Sequence, residues 1–208
     1  MKKSFLCALL FCFALHSVSF PGTDSLYIRV HFLHGSKPRH KYRFEEDRWF
    51  GGMLGGHAGI EYEANKILNF QPKCRFHFFS KRRIINSKFG EHDTVSFYGI
   101  LGGSPDSVKK TIISIPVTSK QKGRLDSIAA AYKTRCPYDY AFLGMRCGAA
   151  AYDVLAQAGI VKKYSFDKTW RRIFYPRRLR RLLQRQAAAN RYAIERRKGS
   201  LRRKWEKD

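Results

Sequence analysis

The sequence predicts an α+β domain in which an antiparallel sheet packs against a helix that opens on a cysteine. Three observations predict it. Alternating, β-branched segments fill residues 25–117. Helical spacing begins only at residue 119. His57 lies in a strand-like run well ahead of Cys147, which starts a run of small residues.

Residues 25–33 alternate Leu26, Ile28, Val30 and Phe32 against Tyr27, Arg29 and His31, the period of a half-buried strand. Gly35, Ser36 and Pro38 end it, and the charged residues 37–48 read as a loop or short hairpin. Gly51, Gly52, Gly55 and Gly56 flank Met53-Leu54 and predict a tightly turned or mobile backbone. No Lys-Ser/Thr follows them, so they are no phosphate loop. Residues 57–63 and 66–70 read as a hairpin turning at Glu63-Ala64-Asn65. Residues 75–79, 94–100 and 111–117 read as further strands. Ser119 is a candidate cap for a helix over 120–133, with Leu125, Ile128, Ala129 and Tyr132 on one face. Pro137 to Tyr140 is a loop. Residues 147–158 are a second helix, stopped by Gly159.

Residues 1–19 have the form of a secretory signal: Lys2-Lys3, an apolar run from Phe5 to Leu15, then Ser17-Val18-Ser19. The expected location is therefore secreted or periplasmic. The apolar run is too short for a membrane anchor, and no later run approaches the length a spanning helix needs. Three domains of use follow: the signal at 1–19, a folded domain at 20–185, and a basic C-terminal helix or tail at 186–208. The chain carries 41 Lys+Arg against 16 Asp+Glu, a net charge of +25. Its sixteen Phe and eleven Tyr argue against disorder. The basic C-terminal region suits attraction to an anionic envelope surface, or is a solvated face. Nucleic acid fits the charge but not an export signal.

A thiol and an imidazole brought together are the minimum parts of a cysteine hydrolase. Beyond residue 19 the cysteines are Cys74, Cys136 and Cys147, an odd number; pairing of the first two would leave Cys147 free. Cys147 at a helix start would gain from unpaired N–H groups and the helix dipole, and a histidine from a facing strand would add a full charge. Gly148 leaves room beside the sulfur. The bland readings stand beside this. Cys147 can be apolar filler, His57 a structural histidine, Asn69 a strand-end residue, and Tyr138 and Tyr140 packing residues. His31, His34, His77 and His92 are scattered without metal-ligand spacing, and Cys74-x-x-His77 has no second pair, so neither a metal nor another cofactor is expected.

His57-Ala58-Gly59-Ile60 through Ile67-Leu68-Asn69-Phe70 resembles the His-x-Gly-Ile hairpin of the NlpC-like papain-fold hydrolases. Histidine before cysteine resembles their circularly permuted branch, which includes lecithin-retinol-acyltransferase-like proteins. Arg146-Cys147-Gly148-Ala149 departs from the Asp-Cys-Ser-Gly form of unpermuted members. The resemblance implies a papain-like fold over roughly residues 25–160. It implies Asn69 as the residue that orients His57, and Tyr138 or Tyr140, with Gly148, beside the oxyanion. The implied reaction is hydrolysis of an amide, of a cell-wall peptide, through a thioester on Cys147. A lipid or ester acyl substrate is the variant reading, and an inactive surface-binding module the competing one.

Overall fold

The structure is a computed structural model, and it describes residues 26–45, 56–73, 77–81 and 86–207. Residues 1–19, expected as a signal, the glycines at 51, 52 and 55, and Cys74 lie outside the described residues. In chain order the elements begin with β1 (Leu26–His34), β2 (Ser36–Pro38), β3 (Gly56–Glu63), β4 (Lys66–Pro72), β5 (His77–Phe79) and β6 (Ser87–His92). Next come α1 (Thr94–Gly99), β7 (Lys110–Val117), α2 (Ser119–Thr134), β8 (Ala141–Leu143) and α3 (Cys147–Gln157). The chain closes with α4 (Phe166–Arg172), α5 (Pro176–Asn190), β9 (Ala193–Arg197) and β10 (Arg203–Trp205).

The fold is mixed α+β around a six-stranded sheet of order β6-β4-β3-β1-β7-β9, antiparallel at every pairing. Alternation decides what each face meets. Ile28, Val30 and Phe32 of β1, Ala58 and Ile60 of β3, and Ile113 and Ile115 of β7 share one core. Into that core pack Leu125 of α2, Val154 and Leu155 of α3, and Leu179 and Leu183 of α5. The opposite face buries Leu33 and Ile67 against Phe97 and Tyr98 of α1. That face is unusually polar inside: His31, His57, Glu61 and Asn69 are all buried. His31 bridges Tyr98 Oη and Glu61, each at 2.8 Å, and with Asn65 and Arg29 it holds the Glu61 carboxyl at about 2, against its burial.

Several expected elements take other forms. Residues 94–100, expected as a strand, make α1, because the Asp93 carboxylate accepts from Ser96 N–H at 2.7 Å and caps a helix there. The strand is the preceding segment, β6. The cap of α2 is Thr118 rather than Ser119, in a reciprocal capping box with Gln121. Asn65 makes the hairpin turn at φ 60°, and Gly159 ends α3 at φ 78°. Cys136 is a free thiol, and it donates to the Tyr138 carbonyl.

Of residues 186–208, expected as a basic helix or tail, the described part 186–207 holds instead the end of α5 followed by two strands. β9 adds an edge to the main sheet and β10 pairs with β2. A buried polar cluster holds them. Arg180 and Arg203 are almost fully buried. Arg180 Nη1 donates to Glu206 Oε1 at 2.5 Å and Arg203 Nε to Ser36 Oγ at 2.9 Å. Glu206→Ala strips Arg180 of its buried counter-charge, and a loss of about 3–5 kcal/mol is expected by urea denaturation. A loss below about 1 kcal/mol would mean that the ion pair contributes little to holding the C-terminal strands.

Candidate active site

The β3–β4 hairpin sets two of the three side chains. Its ladder runs from Glu63↔Lys66 up to Gly59↔Asn69. Beyond that pair β4 continues alongside β6, as far as Pro72↔Ser87. β3 and β4 therefore part at Ala58, on the side where α3 begins. In register, Asn69 lies diagonally across from His57 on the same face, within reach of a ring. His57 Nε2–H donates to Asn69 Oδ1 at 3.1 Å, which leaves Nδ1 for another partner. Gly59, between them, is obligatory. A Cβ there would lie 2.6 Å from both Ile67 Cγ2 and Phe97 Cε2. Phe97 covers His57 as well, with ring centroids 5.5 Å apart.

Cys147 arrives from the other side of the opening. Nine of the eleven residues of α3 are buried, and its small residues let it lie close to the sheet and to α5. The His57 side chain hydrogen-bonds the Cys147 side chain, and the Ala58 N–H, which no β4 partner takes up, bonds the sulfur. Alternation puts His57 on the α1 face while α3 packs on the other. The parting of the strands is what lets ring and sulfur meet. The sulfur is close to buried, Cys147 being 4% exposed, but its neighbours are polar rather than greasy.

The electrostatics follow. Burial pushes the Cys147 thiol up, but the His57 charge, its hydrogen bond, the Arg146 guanidinium and the Ala58 N–H together bring it below the ordinary thiol value. Burial pushes His57 down, but the thiolate charge and the bonds to Cys147 and Asn69 bring it above the ordinary imidazole value. Each shift is toward the charged form, thiolate for Cys147 and imidazolium for His57. Arg146 holds its charge in place by packing over Phe174 at 3.9 Å and Tyr175 at 4.6 Å, while Nη2 donates to the Phe174 carbonyl at 2.5 Å.

The expected oxyanion residues separate. Tyr140 is at the site: it is stacked on Phe70, its hydroxyl hydrogen-bonds the Cys147 side chain, and its oxygen accepts from the Cys147 N–H. Burial and the thiolate push this phenol well above its ordinary value, so it stays a donor. The return of the chain from Tyr140 to Met145 fixes it, with Ala141 N–H donating to Met145 O at 3.1 Å. Tyr138 points elsewhere, into a cluster with Phe70, Phe89, Tyr132 and Phe166. Gly148 does not open space for a substrate: a Cβ there would lie 2.8 Å from Pro176 N, so its bare Cα serves the contact of α3 with α5.

Three contributors were not legible as such in the sequence. Gln71 Nε2 donates to Asn69 Oδ1 at 2.5 Å. His92 Nδ1 accepts from Asn69 Nδ2 at 2.7 Å. Asp139, fully buried, accepts from His77, Lys81 N–H and Asn86 N–H and anchors the loop just before Tyr140. Only the pairing of β4 with β6 brings His92 to Asn69, and no local spacing signals it. Among the described residues no group of three or more His, Cys, Asp or Glu is arranged to hold a metal ion. Compared with known proteins, the chain matches no family model, no curated protein and no solved structure.

The pair has a direct signature. Alkylation of Cys147 by iodoacetamide should remain fast well below the ordinary thiol pKa of about 8.5, and fall only as the lowered thiol is protonated. In His57→Ala only Arg146 and the Ala58 N–H still oppose burial, so the thiol moves up and alkylation at pH 6.5 should slow by about tenfold or more, each pKa unit counting tenfold. Equal rates in the two proteins would dissolve the pair.

Proposed function

We propose that the chain is a cysteine hydrolase that cleaves an amide through a thioester on Cys147. The observation that carries this is the continuous hydrogen-bonded series from the Cys147 sulfur through His57 to Asn69. A thiolate–imidazolium pair with the far ring nitrogen held by a carboxamide is what acyl transfer from a carbonyl requires. As substrate, a cell-wall peptide amide fits the expected export and the resemblance of the His57 hairpin to NlpC-like hydrolases. A lipid or other ester is the variant, since the same attack serves both.

The thiolate attacks the substrate carbonyl carbon and its π electrons move onto oxygen. In the resting site the Cys147 N–H donates to the Tyr140 oxygen and the Tyr140 O–H bonds the sulfur, so both donors lie beside the nucleophile and can turn to an oxyanion formed there. The phenol donates to the thiolate in the resting site, and its proton is released for the oxyanion once sulfur has bonded to carbon. His57 Nδ1–H gives its proton to the leaving nitrogen as the C–N bond breaks. The neutral ring then takes a proton from water, hydroxide attacks the thioester, and the C–S bond breaks to restore the thiolate. Asn69 keeps the Nε2–H tautomer throughout.

The test is capture of the intermediate. Incubated with peptidoglycan stem peptides and quenched in acid, the protein should carry an acyl adduct on Cys147 by mass spectrometry, and Cys147→Ala none. Tyr140→Phe should lower kcat by about 10²–10³, the range for loss of one oxyanion donor, with a smaller slowing of thiol alkylation from the lost bond to sulfur. If neither peptides nor acyl esters acylate a demonstrably reactive Cys147, the hydrolase reading fails.

A second reading concerns the partner rather than the chemistry. Arg178, Arg181 and Arg185 lie three and four residues apart along α5 and, with Gln184, line a hollow of about 430 Å³. This folded arginine face supports attraction to an anionic envelope surface, with or without catalysis. Binding to vesicles containing anionic phospholipid should weaken several-fold between 50 and 300 mM salt, as screening predicts. The triple variant Arg178→Gln, Arg181→Gln, Arg185→Gln should lose most of it, and unchanged binding would remove α5 from this role.

A further inference from the structure

His92 is a half-buried histidine that the proposed mechanism leaves unused. Its ring meets the back of the residue that orients His57. Asn69 has every polar position engaged: Oδ1 accepts from His57 and Gln71, and Nδ2 donates to His92 Nδ1 at 2.7 Å and to the Ile67 and Gly90 carbonyls at 3.3 Å each. The contact has a provision in the backbone. His92 pairs with Ile67, and Gly90 with Asn69, so the His92 ring must lie back across Gly90 to reach the carboxamide. It does: a Cβ on Gly90 would stand 3.0 Å from His92 Cε1. Glycine at 90 is the opening through which His92 reaches Asn69.

The direction of the bond matters. An amide Nδ2 can only donate, so His92 Nδ1 must be bare and the ring neutral with its proton on Nε2. A proton added at Nδ1 from solvent would set one donor against another. It would also place an imidazolium behind Asn69 while His57 carries its own charge in front.

Resting on the reading of Cys147, His57 and Asn69 as a triad, we propose that His92 is a positioning residue and the acid switch of that triad: neutral, it holds Asn69 against His57; protonated, it releases Asn69 and repels the His57 imidazolium. The surroundings favour the neutral ring. Burial, the His57 charge from β3 and the Lys88 charge from β6 itself hold His92 below the ordinary histidine value, with Asp93 acting weakly the other way. The switch therefore operates on the acid side of the ordinary imidazole range, and the site disconnects as the pH falls through the lowered His92 value.

Two variants separate positioning from packing. His92→Gln keeps an acceptor that cannot titrate; His92→Leu keeps volume and offers none. The readout is Cys147 thiolate, followed by alkylation rate and by absorbance near 240 nm from pH 4 to 9. His92→Leu should lower the thiolate population at pH 6 by about three- to tenfold, while His92→Gln should restore it and remove the steeper acid fall of the wild-type curve. Gly90→Val, which pushes the ring off Asn69, should imitate His92→Leu. In the unmodified protein, nitrogen-15 NMR should find His92 in the Nε2–H tautomer at neutral pH, with His57 shifting as His92 titrates. If wild-type Cys147 is reactive but His92→Leu and Gly90→Val leave its pH curve unmoved, or if His92 carries its proton on Nδ1, the inference is overturned. If wild-type Cys147 reacts as an ordinary thiol, it is the triad reading itself that has failed.

Discussion

The contact between the Cys147 sulfur and the His57 ring is the interaction on which the rest of this molecule's chemistry depends. A thiol that is only 4% exposed should be neutral and inert, since burial disfavours its charged form. The opposing term is of the right size. Unit charges about 4 Å apart attract by roughly 4 kcal/mol at an effective dielectric of 20, enough with two or three hydrogen bonds to offset a desolvation cost of several kcal/mol. Each partner is pushed toward its charged form chiefly by the other. Remove the ring, and the same burial that strengthens the pair leaves a small apolar filler. The reactive state is thus a property of the pair and of whatever fixes its geometry.

The fold fixes it by interrupting itself. A complete β3–β4 ladder would use the Ala58 N–H within the sheet and keep His57 on the α1 face, away from α3. The ladder stops at Gly59↔Asn69, and the freed N–H is spent on sulfur. Around this opening the backbone is tied down on all sides. Gly59 admits Phe97 and Ile67, Gly148 admits Pro176, and Asp139 gathers two backbone N–H groups and a histidine ahead of Tyr140. A polar site inside a hydrophobic core is costly unless every group is partnered. Here the carboxamide of Asn69 makes five hydrogen bonds, and Glu61 accepts from His31, Arg29 and a backbone N–H.

What the sequence disclosed, and what it hid, divides along the range of the interactions involved. The 57–63 and 66–70 hairpin was readable because its alternation and turn are local, and twelve residues of hairpin bring Asn69 to His57 with little else needed. The helix opening on Cys147 was readable for the same reason. Residues 94–100 misled because Val95 and Phe97 alternate with Thr94 and Ser96 as in a strand, and one carboxylate at Asp93 decides the matter by capping. The last strands misled because β9 is charged on its exposed edge and is held by pairing with β7, which no local pattern records. Tyr138 and Tyr140 are two apart in one motif, yet one packs in a greasy cluster and the other lies on the sulfur. Only the turn from Tyr140 to Met145 separates their fates.

The positive charge of the C-terminal region is two things that composition merged. Arg180 and Arg203 are interior struts, bonded to Glu206 and Ser36. Arg178, Arg181 and Arg185 line the outer side of a helix whose first residue, Pro176, touches Gly148 beside the nucleophile. The arginines of the proposed attraction therefore belong to the same element that packs against α3, not to a loose appendage. A field anchored this way raises the local concentration of an anionic substrate or surface near the site without entering the chemistry. Salt should then act on encounter and leave the thiolate nearly untouched, because the Cys147–His57 pair lies too deep for ions to screen. The proposed catalysis and the proposed attraction would share a scaffold but obey separate physics, and that separation is what makes each of them measurable in the presence of the other.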